Sequence, residues 1–312
     1  MKIQITLATL LAVCLFSISC ADGTKTADAV QESGSAVSDK VPAVQASSVQ
    51  ESQVKVQEDA KAESKAETDA DGAWGHLSGT IIVDGDAPQP KEEVIGDHPD
   101  KAACLVDGKL PLDDNILVNA ENKGLKDVIV MMYLKKKQPE SFHPSYAESK
   151  NEPVVLDNVK CRFVPHVAFV RTGQKLVMKN SDAVGHNCHI TTFNNEINPT
   201  ISANDETSAT FDTDDKIPGK VQCDLHKWMD SVIFIRDNPY VAVTDADGKF
   251  TIENLPEGEW EFQFWHSKVG YMKKLAVTNY KTGRKGEVEV AIKAGETVDL
   301  GSMSLPAKSF KK

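Results

Sequence analysis

Short runs in which hydrophobic and polar residues alternate dominate the chain from about residue 73 onwards. Examples are GTIIVDG, KDVIVMMYL, QKLVMKN, DSVIFIRD, KFTIENL and EVEVAIK, each bounded by Gly, Pro, Asn or Asp. Alternation with a period of two predicts β-strands, and no long stretch shows the 3.6-residue period of an amphipathic helix. The pattern predicts an all-β protein made of β-sandwiches, with enough residues for one large or two small domains.

The first twenty residues, MKIQITLATLLAVCLFSISC, have the layout of a secretory signal. Lys2 gives an early positive charge, an uncharged apolar run follows, and small residues lead to Cys20. The run is too short and one-sided for a membrane span. Cleavage before Cys20 and lipid attachment to it predict a bacterial lipoprotein, although Ser17 stands where such signals usually carry Leu. A simple cleaved secretory signal is the alternative, and either one exports the mature protein.

Residues 21–72 have the composition of a solvated acidic tether. They contain no aromatic residue and no Leu, Ile or Phe, so they cannot bury enough surface to offset their chain entropy. Eleven acidic and five basic residues fall here, which places six of the eleven net negative charges of the chain in this segment. The acidic balance and the lack of a basic patch argue against a nucleic-acid partner.

Two stretches of the chain carry potential metal ligands. In GQKLVMKNSDAVGHNCH a predicted strand and a turn lead to His186, and 37 residues later the predicted strand IPGKVQC ends at Cys223. The loop that follows supplies His226 and Met229. Two imidazoles, a thiolate and a weak thioether form the ligand set of a blue-copper electron-transfer site, because the soft thiolate and the imidazoles suit both oxidation states of copper.

HNCH followed by CDLHKWM resembles the cupredoxins, and among them the amicyanin type, whose ligand loop also reads Cys-x-x-His-x-x-Met after a His-Asn-x-His strand. The resemblance implies one type 1 copper ion bound by His186, Cys223, His226 and Met229. It also implies that Asn187 ties the two ligand loops together without binding the metal itself. The implied fold is a Greek-key β-sandwich.

The resemblance extends further along the chain. CRFVPHVAFVRTGQKLVMKNSD and YVAVTDADGKFTIENLPEGEWEFQFWH are together similar to secreted methylamine-utilisation-type proteins, which join a cupredoxin to a carboxypeptidase-regulatory-like β-sandwich. We therefore expect a cupredoxin-like domain with N-terminal strands at 73–238 and a second, Ig/transthyretin-like sandwich at 239–308. Because WGHLSGTIIVDGDAPQP resembles the opening of that second sandwich, insertion of the cupredoxin within it is the alternative.

Two other metal sites and a site without metal are alternatives. Cys188 stands where amicyanins have an aliphatic residue. A binuclear or mixed thiolate centre that includes Cys188 is therefore one alternative, and a small buried hydrophobic residue is the other. Zinc could use Cys188, His189, Cys223 and His226, but adjacent strand residues point to opposite faces, so His189 is expected to face away from the site. The bland alternative is a half-buried loop in which Cys223 forms a disulfide.

The remaining cysteines and histidines are expected to be structural. Two cysteines lie in the signal and two near the site, so Cys104 and Cys161 are the expected disulfide pair in an exported protein. His166 and His266 each stand alone beside apolar runs and are interpreted as structural histidines.

The function expected from these features is single-electron transfer between redox partner proteins. Four protein ligands leave no open metal position, so the protein is not expected to be an enzyme. The expected location is the bacterial cell envelope, on the periplasmic or outer-surface side, with a membrane anchor through lipid on Cys20. A copper-delivery protein without electron transfer and a structural envelope module without metal are the rival hypotheses.

Overall fold

The computed structural model describes residues 73–134 and 139–310. The predicted signal at 1–20, the lipid on Cys20 and the tether at 21–72 lie outside these residues. The strands in chain order are β1 (Trp74–Asp84), β2 (Ile129–Met132), β3 (Val154–Asn158), β4 (Phe163–Val164), β5 (Val167–Arg171), β6 (Leu176–Asn180), β7 (His186–Asn187), β8 (His189–Thr191), β9 (Glu196–Ile197), β10 (Thr200–Ile201), β11 (Glu206–Ala209), β12 (Gly219–Gln222), β13 (Asp230–Arg236), β14 (Val241–Val243), β15 (Lys249–Pro256), β16 (Gly258–His266), β17 (Gly270–Tyr271), β18 (Val288–Ile292) and β19 (Thr297–Pro306). The described residues add only a short helix, α1 (Ser145–Ser149), and a 3-10 turn (Ala307–Ser309), so the predicted all-β class is confirmed.

Most of the strands form four sheets. Sheet I has the order β15-β1-β19, and sheet II has the order β14-β2-β16-β17 with β18 also paired to β16. Sheet III has the order β5-β13-β12-β8-β9, and sheet IV has the order β11-β6-β3-β4. Strands β7 and β10 form a separate antiparallel pair beside them.

Three clusters of buried apolar side chains hold these sheets together. One joins sheets I and II and includes Leu77 and Phe262, and another joins sheets III and IV and includes Leu176 and Ile233. A third, smaller cluster joins sheets II and III and consists of Ile129, Met131, Val167, Val232 and Phe234. The two sandwiches therefore share a buried apolar contact between sheets II and III.

Strands β2 and β13 are buried on both faces. In β13, Ile233 and Ile235 belong to the core of sheets III and IV, whereas Val232 and Phe234 belong to the contact with sheet II. A strand covered on both faces has a continuous apolar run rather than an alternating one. The expectation that hydrophobic and polar residues alternate was therefore wrong for VIVMM and VIFI.

The strand pairing corrects the expected domain at 73–238. Strand β1 pairs antiparallel with β15 and parallel with β19, and β2 pairs antiparallel with β14 and β16, so both early strands lie in the sheets of the second sandwich. Strands β3 to β13 build sheets III and IV and the separate pair of β7 and β10. The physical reason is that, among the described strands, β1 and β2 pair only with strands beyond residue 239. This topology agrees with the alternative in which the cupredoxin-like part is inserted.

A disulfide between Cys104 and Cys161 confirms the predicted pair. Both cysteines are fully buried in the core of sheets III and IV. Cys104 lies in the long connection between β1 and β2, so the disulfide fastens this connection to the sandwich of sheets III and IV. Within residues 73–134 and 139–310, no helix has the length and apolar character needed to cross a membrane.

Candidate metal centre

Three potential ligand atoms converge in the sandwich of sheets III and IV. The Sγ atom of Cys223 lies 3.8 Å from Nδ1 of His186 and 3.6 Å from Nδ1 of His226. The three side chains form a buried group whose ligating atoms lie within 4.8 Å of one another. Each residue is at most 1% exposed. The structure thus brings together the two histidines and the cysteine that the sequence predicted from separate segments.

The ends of neighbouring strands position these ligands. His186 is the first residue of β7, and Cys223 directly follows β12 on the same face as the buried Val221. The next six residues form the tight connection to β13. In it, the Met229 N–H donates to the His226 carbonyl at 2.9 Å, and the Cys223 N–H donates to the Met229 carbonyl at 3.2 Å. The loop is closed by its own backbone, which fixes the spacing of its ligands.

The side chain of Met229 belongs to the same buried cluster as that of Cys223. Its side chain is 2% exposed and belongs to the apolar core of sheets III and IV. The backbone hydrogen bond between the two residues places Met229 at the point where the loop returns to β13. This position is compatible with the predicted weak thioether ligand and also with a core side chain, so the role of Met229 stays a prediction.

Asn187 connects the two ligand segments through its side-chain amide. Its Oδ1 atom accepts hydrogen bonds from the Asp224 N–H at 2.7 Å, from the Leu225 N–H at 3.4 Å and from the Cys223 thiol at 3.3 Å. Its Nδ2 group donates to Asp224 Oδ2 at 3.0 Å and to Asn198 Oδ1. The amide therefore spans the two segments, and its role at a metal site stays a prediction.

The outer nitrogen of His186 is held by a carboxylate. His186 Nε2 donates to Asp182 Oδ2 at 2.9 Å, and the same carboxylate accepts the N–H groups of Lys160 at 2.5 Å and Cys161 at 2.8 Å. Burial favours a raised pKa of Asp182, but these hydrogen bonds outweigh it and lower the pKa. With Nε2 engaged by Asp182, Nδ1 is the nitrogen that faces Cys223, which is the ring orientation a metal ligand needs.

A second carboxylate, that of Asp100, holds the outer nitrogen of His226. His226 Nε2 donates to Asp100 Oδ2 at 3.2 Å, and the ring of His98 packs 4.8 Å from the ring of His226. His98 also donates from Nε2 to the Leu225 carbonyl at 3.2 Å, while its Nδ1 accepts the Asp100 N–H. Ligating atoms of His98, Asp100 and His226 cluster as a result. Because both ring nitrogens of His98 are engaged, we interpret this cluster as support for the site and not as a second one.

Sequence reasoning missed these supporting residues, although one of them had a local signal. Asp182 stands four positions before His186 in the segment SDAVGH. Asp100 and His98 are separated from His226 by more than 120 positions and come from the connection between β1 and β2. No local pattern can reveal that contact, because it depends on where the disulfide-anchored connection crosses the sandwich.

The electrostatics of the site favour a thiolate. Burial acts to raise the pKa of Cys223, but hydrogen bonds from His186 and His226 outweigh it and lower that pKa to about 6. Burial acts to lower the pKa of His186, while its hydrogen bonds to Asp182 and Cys223 raise that pKa to about 9. A thiolate is the form of cysteine that binds metals. The residues therefore supply a buried anionic sulfur between two imidazoles.

Cys188 and His189 lie outside the cluster of ligand atoms. Cys188 is 1% exposed within the apolar core, and burial, with a further contribution from the charge of Cys223, raises its pKa to about 12. The His189 ring instead lies 3.1 Å from Asp224 Oδ2 and 3.6 Å from Glu196 Oε1. Among the described residues neither belongs to a metal-ligating group. The geometry favours neither the zinc site nor a centre with two thiolates.

The two isolated histidines also make structural contacts. His266 is 1% exposed, accepts the Lys268 N–H at Nδ1 and packs against Phe310, and burial lowers its pKa to about 3. His166 is 4% exposed and lies 3.4 Å from Asp114 Oδ1. Neither residue is part of a metal-ligating group within the described residues.

Comparison with known proteins gives fold neighbours of low similarity. No protein family and no curated protein sequence matches the chain. Similar solved structures include a mutant amicyanin with Cu(I) (18% identity, 27% of this chain, 82% of that chain, TM-score 0.25). They also include a purple cupredoxin from Nitrosopumilus maritimus (19% identity, 27% of this chain, 99% of that chain, TM-score 0.23). A third is a Cu-containing nitrite reductase from Thermus scotoductus (16% identity, 35% of this chain, 25% of that chain, TM-score 0.26).

These neighbours are amicyanin and cupredoxin-like copper proteins. At such identities and TM-scores they carry no argument about this chain. The likeness of the second sandwich to carboxypeptidase-regulatory-like domains, and of the whole to methylamine-utilisation-type proteins, stays a prediction.

Proposed function

We propose that the protein binds one copper ion and transfers single electrons between redox partner proteins. The observation that carries this proposal is the convergence of two imidazole Nδ1 atoms on a buried thiolate sulfur, with both outer nitrogens held by carboxylates. Soft thiolate and imidazole donors suit both Cu(I) and Cu(II). His186, Cys223 and His226 would hold the ion, with Met229 as a weak fourth ligand.

The residues around the ligands suit electron transfer because they fix ligand positions. A bound copper ion would supply the one-electron chemistry. Asn187 ties the two loops, Asp182 and Asp100 orient the two imidazoles, and the apolar core excludes water from the sulfur. Ligands held by protein contacts need not rearrange when the charge of the metal changes. Four protein ligands also leave no open position for a substrate, so we propose that the protein is not an enzyme.

The burial of the site favours electron transfer over copper delivery. His186 and His226 are 0% exposed and Cys223 is 1% exposed. Handing the ion to another protein would require the loop between β12 and β13 to open, whereas an electron can leave through packed side chains. We further propose export to the bacterial cell envelope with an anchor through lipid on Cys20, and a redox protein rather than a nucleic acid as the partner.

The spectrum of the copper-loaded protein tests the proposal. We expect an intense visible band from thiolate-to-copper charge transfer, lost in Cys223→Ser and retained in the matched control Cys188→Ser. Voltammetry should show reversible one-electron cycling. Loss of the band in Cys188→Ser alone would show that the ligand set is wrong. A band without reversible cycling would favour the delivery protein, and protein isolated from its native envelope without copper would favour a structural module.

A further inference from the structure

Residues 95–104, here called the cap segment, cover the edge of the site at His226. Ile95 and Cys104 at its two ends are buried in the core of sheets III and IV. Between them, Asp100 accepts the Nε2–H of His226 at 3.2 Å and His98 packs on the same ring at 4.8 Å. His226 is fully buried although it lies in a loop, and the cap segment contributes to this burial together with the rings of His186 and Trp228.

The cap segment adds a further contact to the ligand loop. His98 donates to the Leu225 carbonyl at 3.2 Å, and the rings of His98 and His226 both pack against Trp228 at 5.2 and 5.0 Å. Hydrogen bonds and ring packing thus fasten one side of the loop between β12 and β13. Nothing in the spacing of the ligands themselves requires this cover.

The disulfide lies between the two carboxylates that hold the histidines. At one end, Cys104 is four residues from Asp100 in the cap segment. At the other end, the Cys161 N–H donates to Asp182 Oδ2 at 2.8 Å, and the same oxygen accepts from His186. One covalent link therefore connects the support of His226 to the support of His186.

We propose that Asp100 is a positioning residue for His226 and that the Cys104–Cys161 disulfide holds it in place. The cap segment then sets the potential of the metal and closes the His226 edge to solvent and small reagents. A carboxylate on the outer nitrogen makes an imidazole a stronger donor and places negative charge near the metal, which favours Cu(II). This inference rests on the proposed copper site and deepens it by naming what tunes that site.

The first test needs no copper. Iodoacetamide is reacted with metal-free protein at pH 8, and mass spectrometry of the peptide that contains Cys223 follows alkylation at this residue separately from Cys188. Asp100→Asn should raise the alkylation rate of Cys223 by about tenfold, because a charge-assisted hydrogen bond that keeps the edge closed is weakened. Asp97→Asn, an exposed residue of the same segment, is the control and should leave the rate unchanged.

The second test uses the copper-loaded protein. Asp100→Asn should raise the reduction potential and retain the visible band, whereas Asp97→Asn should not shift the potential. The double variant Cys104→Ala/Cys161→Ala should shift both the potential and the alkylation rate in the same direction as Asp100→Asn. Adding Asp100→Asn to that double variant should then change little further, because the two changes act through one contact.

Equal behaviour of Asp100→Asn and Asp97→Asn in both tests would overturn the proposal. Additive effects of the disulfide and Asp100 variants would overturn the part that assigns the disulfide this role. If the double variant does not fold, wild-type protein whose disulfide has been reduced takes its place in both tests. A shift that matches the one caused by Asp100→Asn then supports the role of the disulfide, and the absence of a shift counts against that role. Should the wild-type protein bind no copper, the proposed function fails while the alkylation test still decides the cap.

Discussion

At the scale of single residues, the ring orientations of two histidines determine what the site can bind. His186 and His226 each hold Nε2 against a carboxylate, so each turns Nδ1 toward the same sulfur. If either ring were flipped, its Nδ1 would face the carboxylate, and the Cys223 thiolate would lose an imidazole nitrogen beside it. The acids that support the ligands are thus as necessary to the geometry as the ligands themselves.

Met229→Leu tests whether the thioether is a ligand. The change keeps volume and apolar character, so packing should suffer by less than about 1.5 kcal/mol. Since a weak axial donor stabilises Cu(II) over Cu(I), we expect Met229→Leu to keep the visible band and raise the reduction potential. Met229→Gln, with a harder oxygen donor, should lower it. Voltammetry of the three proteins decides, and equal potentials would make Met229 a core residue.

The affinity of the site for copper should depend on pH, because the proposed ligands Cys223 and His186 must lose their protons before they bind the ion. In the metal-free protein the pKa of Cys223 is about 6 and that of His186 is about 9. Between these values the sulfur is already a thiolate, but copper must displace one proton from His186. Affinity should therefore rise about tenfold per pH unit from about 6 to 9, level off above it, and fall more steeply below 6.

Competition with a chelator of known pH dependence measures this profile. The expected slope is one proton released per copper bound in the middle range. Asp182→Asn provides the matched variant, because it removes the carboxylate that helps to keep His186 protonated. Its profile should level off at a lower pH than the wild type. A wild-type affinity independent of pH between 6 and 9 would contradict the assignment of His186 as a ligand.

At the scale of elements, strands β2 and β13 bind the two sandwiches to each other. One face of each strand completes the core of its own sandwich. The opposite faces, which include Phe234 of β13, pack against each other between sheets II and III. We expect Phe234→Ala to lower the free energy of unfolding by about 3–5 kcal/mol, as other buried aromatic truncations do. Phe193→Ala, at an 81% exposed position, should change it by less than about 0.5 kcal/mol.

Urea denaturation of the two variants measures this difference. A small loss for Phe234→Ala would mean that sheets II and III separate easily and that their contact contributes little. The visible band of the folded, copper-loaded Phe234→Ala protein should be unchanged, because the ligand loop lies on the far side of sheet III, in the core with sheet IV.

The sequence predicted the elements of the site better than their surroundings. His186 and the 223–229 loop could be found because each ligand follows a strand whose polar and apolar alternation is visible locally. The β-class and the disulfide pair followed from patterning and from export. The pairing of β1 with β15 and β19, and the contact of Asp100 with His226, depend on chain crossings over more than 120 positions and have no local pattern.

At the scale of the whole molecule, the order of the strands along the chain couples the candidate metal site to the second sandwich. The chain leaves sheet II after β2, builds sheets III and IV, and returns to sheet II at β14. Two covalent connections and a shared apolar contact therefore join the sandwiches, and the disulfide fastens a third segment across them. An inserted domain held at both ends is expected to unfold together with its host.

Copper binding should accordingly stabilise residues far from the metal. A ligand that binds only the native state adds RT ln(1 + [L]/Kd), or about 2.7 kcal/mol at a free concentration of one hundred times Kd. If the two sandwiches unfold as one unit, the slowest amides of β16 and β18, in the core of sheets I and II, should exchange about a hundredfold more slowly with copper than without it. Hydrogen exchange followed by mass spectrometry measures this, with Cys223→Ser as the variant in which copper should have no effect. Slowing confined to peptides from sheets III and IV would show that the second sandwich unfolds independently and serves only as a mount for the metal site.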